Sequence, residues 1–204
     1  MNPMHGSDEV LLVVDPQNDF CAGGALAVPH GDEIVPLVNR LAADFAHVVV
    51  TQDWHPPGHA SFASTYPARR PYDTIGLAYG AQILWPDHCV QGTAGAEFHP
   101  SLDLRRAELV IRKGFHPGID SYSAFRENDR ETPTGLAGYL RERGLGRITI
   151  AGLATDFCVL YSALDARGAG FETAIALDAC RGIDIDGSVE KALGEMKNAG
   201  VVTV

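Results

Sequence analysis

Six short apolar runs, most of them separated by enough chain for a helix, constrain this sequence more than any other feature. They are "VLLVV" (10–14), "HVVVT" (47–51), "ELVIR" (108–112), "RITIAG" (147–152), "FETAIALDA" (171–179) and the closing "VVTV" (201–204), each of strand length. The first is apolar without interruption, as a strand covered on both faces must be. Between the first two, residues 32–45 bring Ile34, Leu37, Val38, Leu41, Ala42 and Phe45 onto one helical stripe. "GLAGYLRERG" (135–144) reads as a helix that stops at a glycine, and further helices are expected from about Asp156 to Ala169 and over 187–198. Strand and helix in alternation predict an α/β chain, a parallel sheet between two helical layers. At 204 residues, a single domain spanning 1–204 suffices.

One connection breaks the pattern. Residues 52–107 carry six of the twelve prolines and four of the eight histidines, in a stretch far longer than an ordinary strand-to-helix loop. It leaves the carboxyl end of the second strand, the rim where parallel sheets bind ligands. Long ordered loops at such a rim usually carry function.

Chemistry-bearing residues gather at the same rim. Strand one ends in Asp15 ("VVDPQNDF"), strand two in Asp53 and His55 ("TQDWHPPGH"), and strand three in Lys113 ("VIRKGF"); Cys158 ("GLATDFCV") opens the helix after strand four. Each has an ordinary explanation: a turn aspartate, a solvated lysine, a buried helix cysteine, a polar loop with chance histidines. Their arrival at one edge favours a device. A helix start and a nearby cation lower a thiol's pKa, so Lys113 would assist Cys158 as nucleophile. Asp15 would move the proton, and the N–H groups of Ala154 and Cys158 would hold an oxyanion. Asp53 and His55 fall on one face of an extended chain and suit a divalent ion.

The net charge of −10 removes the basic footprint that nucleic acid or anionic lipid would require. No apolar run nears the ~20 residues of a membrane span, and "MNPMHGSDEV" has no signal-peptide pattern. A cytoplasmic protein is therefore expected, with a small-molecule partner and with assembly into identical subunits left open. Cys21, Cys89, Cys158 and Cys180 lie far apart and form no CxxC pair, which favours reduced thiols. Cys21, Cys89 and Cys180 are read as packing residues, and His99 and His116 as loop or capping residues.

Together, "VVDPQNDF", "TQDWHPPGHASF", "WPDHCVQGTAGAEFHP", "RKGFHPGIDSYSAF" and "GLATDFCV" resemble the nicotinamidase (pyrazinamidase) branch of the isochorismatase-like cysteine hydrolases. That resemblance implies a sheet order of 3-2-1-4-5-6 and an Asp15, Lys113, Cys158 triad. It also implies a cis Leu153–Ala154 peptide and a metal held by Asp53, His55 and His88. Water, His59 or Ser61 remain open for a further position, with His59 read as a plain loop histidine. Zn²⁺ is expected first, with Fe²⁺ or Mn²⁺ as alternatives. The implied reaction is hydrolysis of nicotinamide to nicotinate and ammonia in NAD salvage, with pyrazinamide as a second substrate. The ion would orient the pyridine ring rather than activate water, and Phe20, Trp85 and Tyr122 would wall the ring. Two rivals remain: a related amidohydrolase acting on a carbamoyl or ureido substrate, and a metal or thiol module without hydrolase activity. One feature of the implied order is awkward. Lys113 must reach past strand two, ~10 Å between strand axes, so a bend after Arg112 is expected.

Overall fold

A computed structural model of the chain describes residues 5–204. Among the described residues there are eight strands: β1 (Glu9–Val14), β2 (His47–Asp53), β3 (Thr74–Leu77), β4 (Gly80–Ile83), β5 (Ala107–Lys113), β6 (Arg147–Leu153), β7 (Glu172–Arg181) and β8 (Val202–Thr203). Six of them form one sheet in the order β5-β2-β1-β6-β7-β8, parallel at every junction. Counting only those six strands, this is the expected 3-2-1-4-5-6. The helices are α1 (Ile34–Ala42), α2 (Leu136–Glu142), α3 (Leu160–Gly168) and α4 (Ser188–Asn198).

Strand alternation divides the core. Val10, Leu12 and Val14 of β1 pack with Leu136 and Leu140 of α2, Ala163 and Ala166 of α3 and Met196 of α4. Leu11 and Val13 point the other way, to Ile34, Val35 and Val38 of α1. The three expected layers follow from this division. No helix among the described residues is long and apolar enough to cross a membrane.

Several elements differ from expectation. α1 is shorter than 32–45: residues Gly31–Glu33 form a separate 3₁₀ turn before it, and the helix ends at Ala42. The helix expected from Asp156 begins as a π-turn, Thr155–Val159, before α3. The last strand shrinks to Val202–Thr203 at the sheet edge. The 52–107 excursion holds an unforeseen antiparallel hairpin, β3–β4. Its residues are mostly exposed or half-exposed and include Gly76 and Gly80, so no buried face imposes a clear period on the sequence.

The excursion is tied back to the rim by backbone bonds. Trp54 N–H donates to Lys113 O, His55 N–H to Cys89 O, and Gln91 N–H to His55 O. Ala63 N–H donates to Trp85 O and Trp85 N–H to Ser61 O. These bonds bring the His88 segment against β2 although 35 residues of sequence separate it from Asp53.

Candidate active site

Lys113 is wholly buried at the end of β5, and its Nζ meets three of the predicted groups. It lies 2.8 Å from Asp15 Oδ2, 3.0 Å from Asp53 Oδ1 and 3.5 Å from Cys158 Sγ. The expected bend after Arg112 is not needed. The β2–β5 register continues through Asp53 and Lys113. Instead Asp15, at φ 48°, leaves β1 in the left-handed region and leans over β2. Thr51 holds it there: Asp15 N–H donates to Thr51 Oγ1 at 3.0 Å, and that hydroxyl donates to Asp15 Oδ1 at 2.5 Å. The gap closes from the Asp15 side.

Buried together, these groups shift one another. Burial works against charge on Lys113, but Asp15 and Asp53 outweigh it and raise its pKa well above the ordinary range. Burial also opposes charge on Asp53, yet His55 and Lys113 hold its carboxyl well below the usual carboxylate range. Burial raises Asp15, with Lys113 pulling it back and Asp53 adding to the rise. The expectation of a lowered Cys158 thiol is corrected here. Burial pushes it well above the ordinary thiol range, and the nearby ammonium offsets this only in part. The resting nucleophile is therefore a thiol that needs a base beside it, rather than a standing thiolate. Burial likewise raises Cys21 to about 11 and Cys180 to about 12.

The turn that carries Cys158 follows a cis Leu153–Ala154 peptide. Phe157 N–H and Val159 N–H both donate to Ala154 O, on either side of the Cys158 N–H. Asp156, buried next to the nucleophile, accepts from Ile183 N–H, Asp184 N–H and the Ser188 hydroxyl. It thus ties the β7–α4 connection to this turn.

Asp53, His55 and His88 bring one ligand atom each within 4.8 Å of one another. His55 Nε2 lies 2.9 Å and His88 Nε2 3.3 Å from Asp53 Oδ2. Each ring has its other nitrogen committed: His55 Nδ1 to Gly114 O at 2.9 Å and His88 Nδ1 to Pro86 O at 2.8 Å. A carbonyl can only accept, so Nδ1 carries the proton and Nε2 faces inward, the arrangement that prepares histidine for a metal. Two imidazole nitrogens and a carboxylate fit a divalent ion by donor chemistry. Gln17 sets the carboxylate's backbone, accepting from Asp53 N–H at 2.7 Å and donating to Asp53 O at 2.8 Å.

His59 is no plain loop histidine. It is completely buried, its ring 4.3 Å from that of His55. Nδ1 meets the Ser61 hydroxyl at 2.7 Å, while Nε2 donates to His116 O at 3.0 Å and Ile119 O at 3.2 Å. Although His55, His59 and Asp120 also lie close enough to form a ligand group, both His59 nitrogens are engaged. His59 instead fastens the loop after Lys113 to the metal loop. His99 Nδ1 and His116 Nδ1 accept backbone N–H groups two residues on, as capping residues do.

Beside Cys158 and the metal group opens a pocket lined by Phe20, Leu26, Asp53, Trp85, His88, Asp120, Tyr122, Ala154, Phe157, Cys158 and Ile183. The expected aromatics Phe20, Trp85 and Tyr122 are all present. Trp85 meets Phe157 edge-on at 4.8 Å between ring centres, and its Nε1–H donates to the Tyr122 hydroxyl at 3.1 Å. Phe157, Asp120, Gln17 and Thr51 were not singled out from sequence. Phe157 had a signal, since it stands beside Cys158 in "TDFCV". The other three lie in the segments that carry the resemblance, but nothing in their residue types pointed to their roles.

The chain matches the isochorismatase domain family over residues 9–204. It is 56% identical over 191 residues to a nicotinamidase of Acinetobacter baylyi, covering 94% of this chain and 89% of the relative. The structure of an Acinetobacter baumanii nicotinamidase superposes with a TM-score of 0.97 at 54% identity, covering 98% of this chain and 97% of the other. A pyrazinamidase of Pyrococcus horikoshii in complex with zinc gives a TM-score of 0.78 at 40% identity, covering 97% and 98%.

Proposed function

The chain belongs to the isochorismatase family, and from that premise we propose that it is a nicotinamidase, an amidohydrolase that converts nicotinamide to nicotinate and ammonia. One observation carries the reading. An ammonium stands within hydrogen-bonding reach of a carboxylate and a thiol, and that thiol lines an aromatic pocket together with Asp53 and His88 of a three-residue metal group. The nicotinamidase relative supports the substrate, and the zinc-bound pyrazinamidase supports a metal and pyrazinamide as a second substrate.

In the proposed mechanism Asp15 takes the Cys158 proton as the sulfur attacks the amide carbon. The N–H groups of Ala154 and Cys158 receive the developing oxyanion. Asp15 returns the proton to the departing ammonia, leaving a thioester on Cys158. It then deprotonates the water that hydrolyses this thioester. Lys113 keeps Asp15 in place and balances the charge of the buried pair. Asp53, His55 and His88 would hold a divalent ion, Zn²⁺ first and Fe²⁺ or Mn²⁺ next. When bound, that ion offers a coordination position for the pyridine nitrogen, so that ring and carboxamide are oriented together. Phe20, Trp85 and Tyr122 bound the flat ring. A single domain over 1–204 in the cytoplasm, recycling nicotinamide for NAD synthesis, completes the proposal. The test is ammonia release from nicotinamide by the purified chain, with and without chelator. Release that falls on chelation and returns with added ion supports the reading; a chain that hydrolyses a ureido or carbamoyl compound but not nicotinamide contradicts it.

A further inference from the structure

A second carboxylate stands beside the metal group without a part in the mechanism above. Asp120 is buried and lines the pocket. Its Oδ2 accepts from Gln82 Nε2 at 2.8 Å, and its Oδ1 accepts from Ser121 N–H at 2.8 Å. Oδ1 also lies 4.0 Å from His55 Nε2, the nitrogen that faces the ion position. That distance is too long for a hydrogen bond and suits a bridging water. A carboxylate offers about four lone-pair directions, so Oδ1 retains capacity beyond Ser121.

Gln82 sits on β4 of the hairpin. Its Oε1 accepts from the Tyr79 hydroxyl at 2.9 Å and from Asn128 Nδ2 at 3.4 Å. These two donors fix the amide's orientation, so Nε2 is the end that faces Asp120. The same Nε2 lies 3.1 Å from the Tyr122 hydroxyl. The hairpin therefore delivers one side chain that holds both a pocket wall and a carboxylate at the metal's edge.

We propose that Asp120, aimed by Gln82, anchors the bound ion through a coordinated water, making the β3–β4 hairpin the outer support of the metal site. Asp53 supplies one negative charge directly and Asp120 supplies a second through water, together matching a dication. Asp120 and Gln82 are positioning residues under this proposal, which rests on the metal-site reading above. Outer partners of this kind commonly change metal affinity by ~10- to 100-fold when removed.

The test measures Zn²⁺ affinity of the stripped chain by competition with a chromophoric chelator, alongside the melting temperature without metal. Asp120→Asn should weaken Zn²⁺ binding by about 10- to 100-fold. Gln82→Leu should weaken it less, in the same direction. The double variant should match Asp120→Asn rather than multiply the two effects, because Gln82 acts through Asp120. His88→Ala, which removes a direct ligand, serves as reference. If Asp120→Asn does not fold, the Gln82→Leu result decides. A variant with a lowered metal-free melting temperature but wild-type Zn²⁺ affinity marks a purely structural role and overturns the proposal. Independent, multiplying effects overturn it as well. A wild-type chain that takes up no ion overturns the metal-site reading together with this inference, whereas a wild type that binds and an Asp120→Asn variant that binds equally well overturn this inference alone.

Discussion

Replacing Lys113 with methionine keeps an unbranched side chain up to the position of Cε and removes the ammonium, with its charge and its donors. In the wild type Nζ stands 2.8 Å from Asp15 Oδ2 and 3.0 Å from Asp53 Oδ1, with no access to water. At an effective dielectric of ~20, each contact carries roughly 5–6 kcal/mol of attraction before desolvation is counted. Breaking a buried pair by removing one partner leaves an uncompensated charge, and the net loss is about 3–5 kcal/mol. For a chain of this size that corresponds to a melting temperature lower by roughly 6–20 °C. The pH dependence carries a sign. Lys113 has a raised folded pKa, so its contribution is present throughout the range below its unfolded value of ~10.4. Asp53 is lowered, so its contribution is present above ~3.9 and is lost only as pH falls through the depressed folded value. Both contributions are therefore intact between pH 5 and 8. Asp15 is raised; its folded form takes up a proton more readily than its unfolded form, which favours folding as pH falls. In Lys113→Met both carboxylates lose their counter-ion, their folded pKa values rise, and protonation neutralises them. The deficit against wild type should therefore be larger at pH 8 than at pH 5. Urea unfolding of the metal-free chains at the two pH values measures it. A deficit below about 1 kcal/mol, or one equal at both pH values, would refute the charge-balance argument.

Three further outcomes follow from the geometry. Gly114→Ala would place a Cβ 2.5 Å from His55 Cε1 and 2.9 Å from Asp53 Oδ1 on a backbone at φ 68°; it should release the ion at lower chelator concentration and destabilise by more than ~1 kcal/mol, and a variant with wild-type metal retention contradicts this. Thr51→Val removes the hydroxyl that bonds Asp15 Oδ1 at 2.5 Å; kcat should fall by about tenfold for the ~1.4 kcal/mol of positioning lost, while KM for nicotinamide changes little. Because burial raises the Cys158 thiol, its alkylation by iodoacetamide, followed by peptide mass spectrometry, should still be accelerating at pH 9; a plateau at or below ~8.5, the free-thiol value, would show that Lys113 wins over burial.

What the sequence revealed and what it hid divide along physical lines. β1, β2 and β6 were legible because strands buried on both faces carry dense short apolar runs, uninterrupted in Val10–Val14 and rich in β-branched residues in the other two. Asp15, Asp53, Lys113 and Cys158 were legible because each stands at the end of a strand of the parallel sheet or at the start of the next helix. The hairpin was not, because Thr74–Leu77 and Gly80–Ile83 pack one another with little buried surface. His59 was misjudged for a related reason. Flanked by "PPG" and "ASF" it looks like part of a solvated loop, and its burial depends on carbonyls of His116 and Ile119, nearly sixty residues later. The thiol's pKa went astray because sequence displays the cation and the helix start but not the depth at which both are buried. The route by which Asp15 meets Lys113 was hidden in a single left-handed residue and a threonine on the neighbouring strand.

The central claim is a division of labour: Cys158 attacks the amide, and the metal group only places the ring. Ammonia release from nicotinamide by Cys158→Ala, loaded with Zn²⁺ and shown by metal analysis to hold one ion per chain, tests it directly. The account predicts no release above the uncatalysed background together with retained metal and nicotinamide binding. Turnover at a substantial fraction of the wild-type rate would mean that a metal-bound water is the nucleophile, and would contradict it.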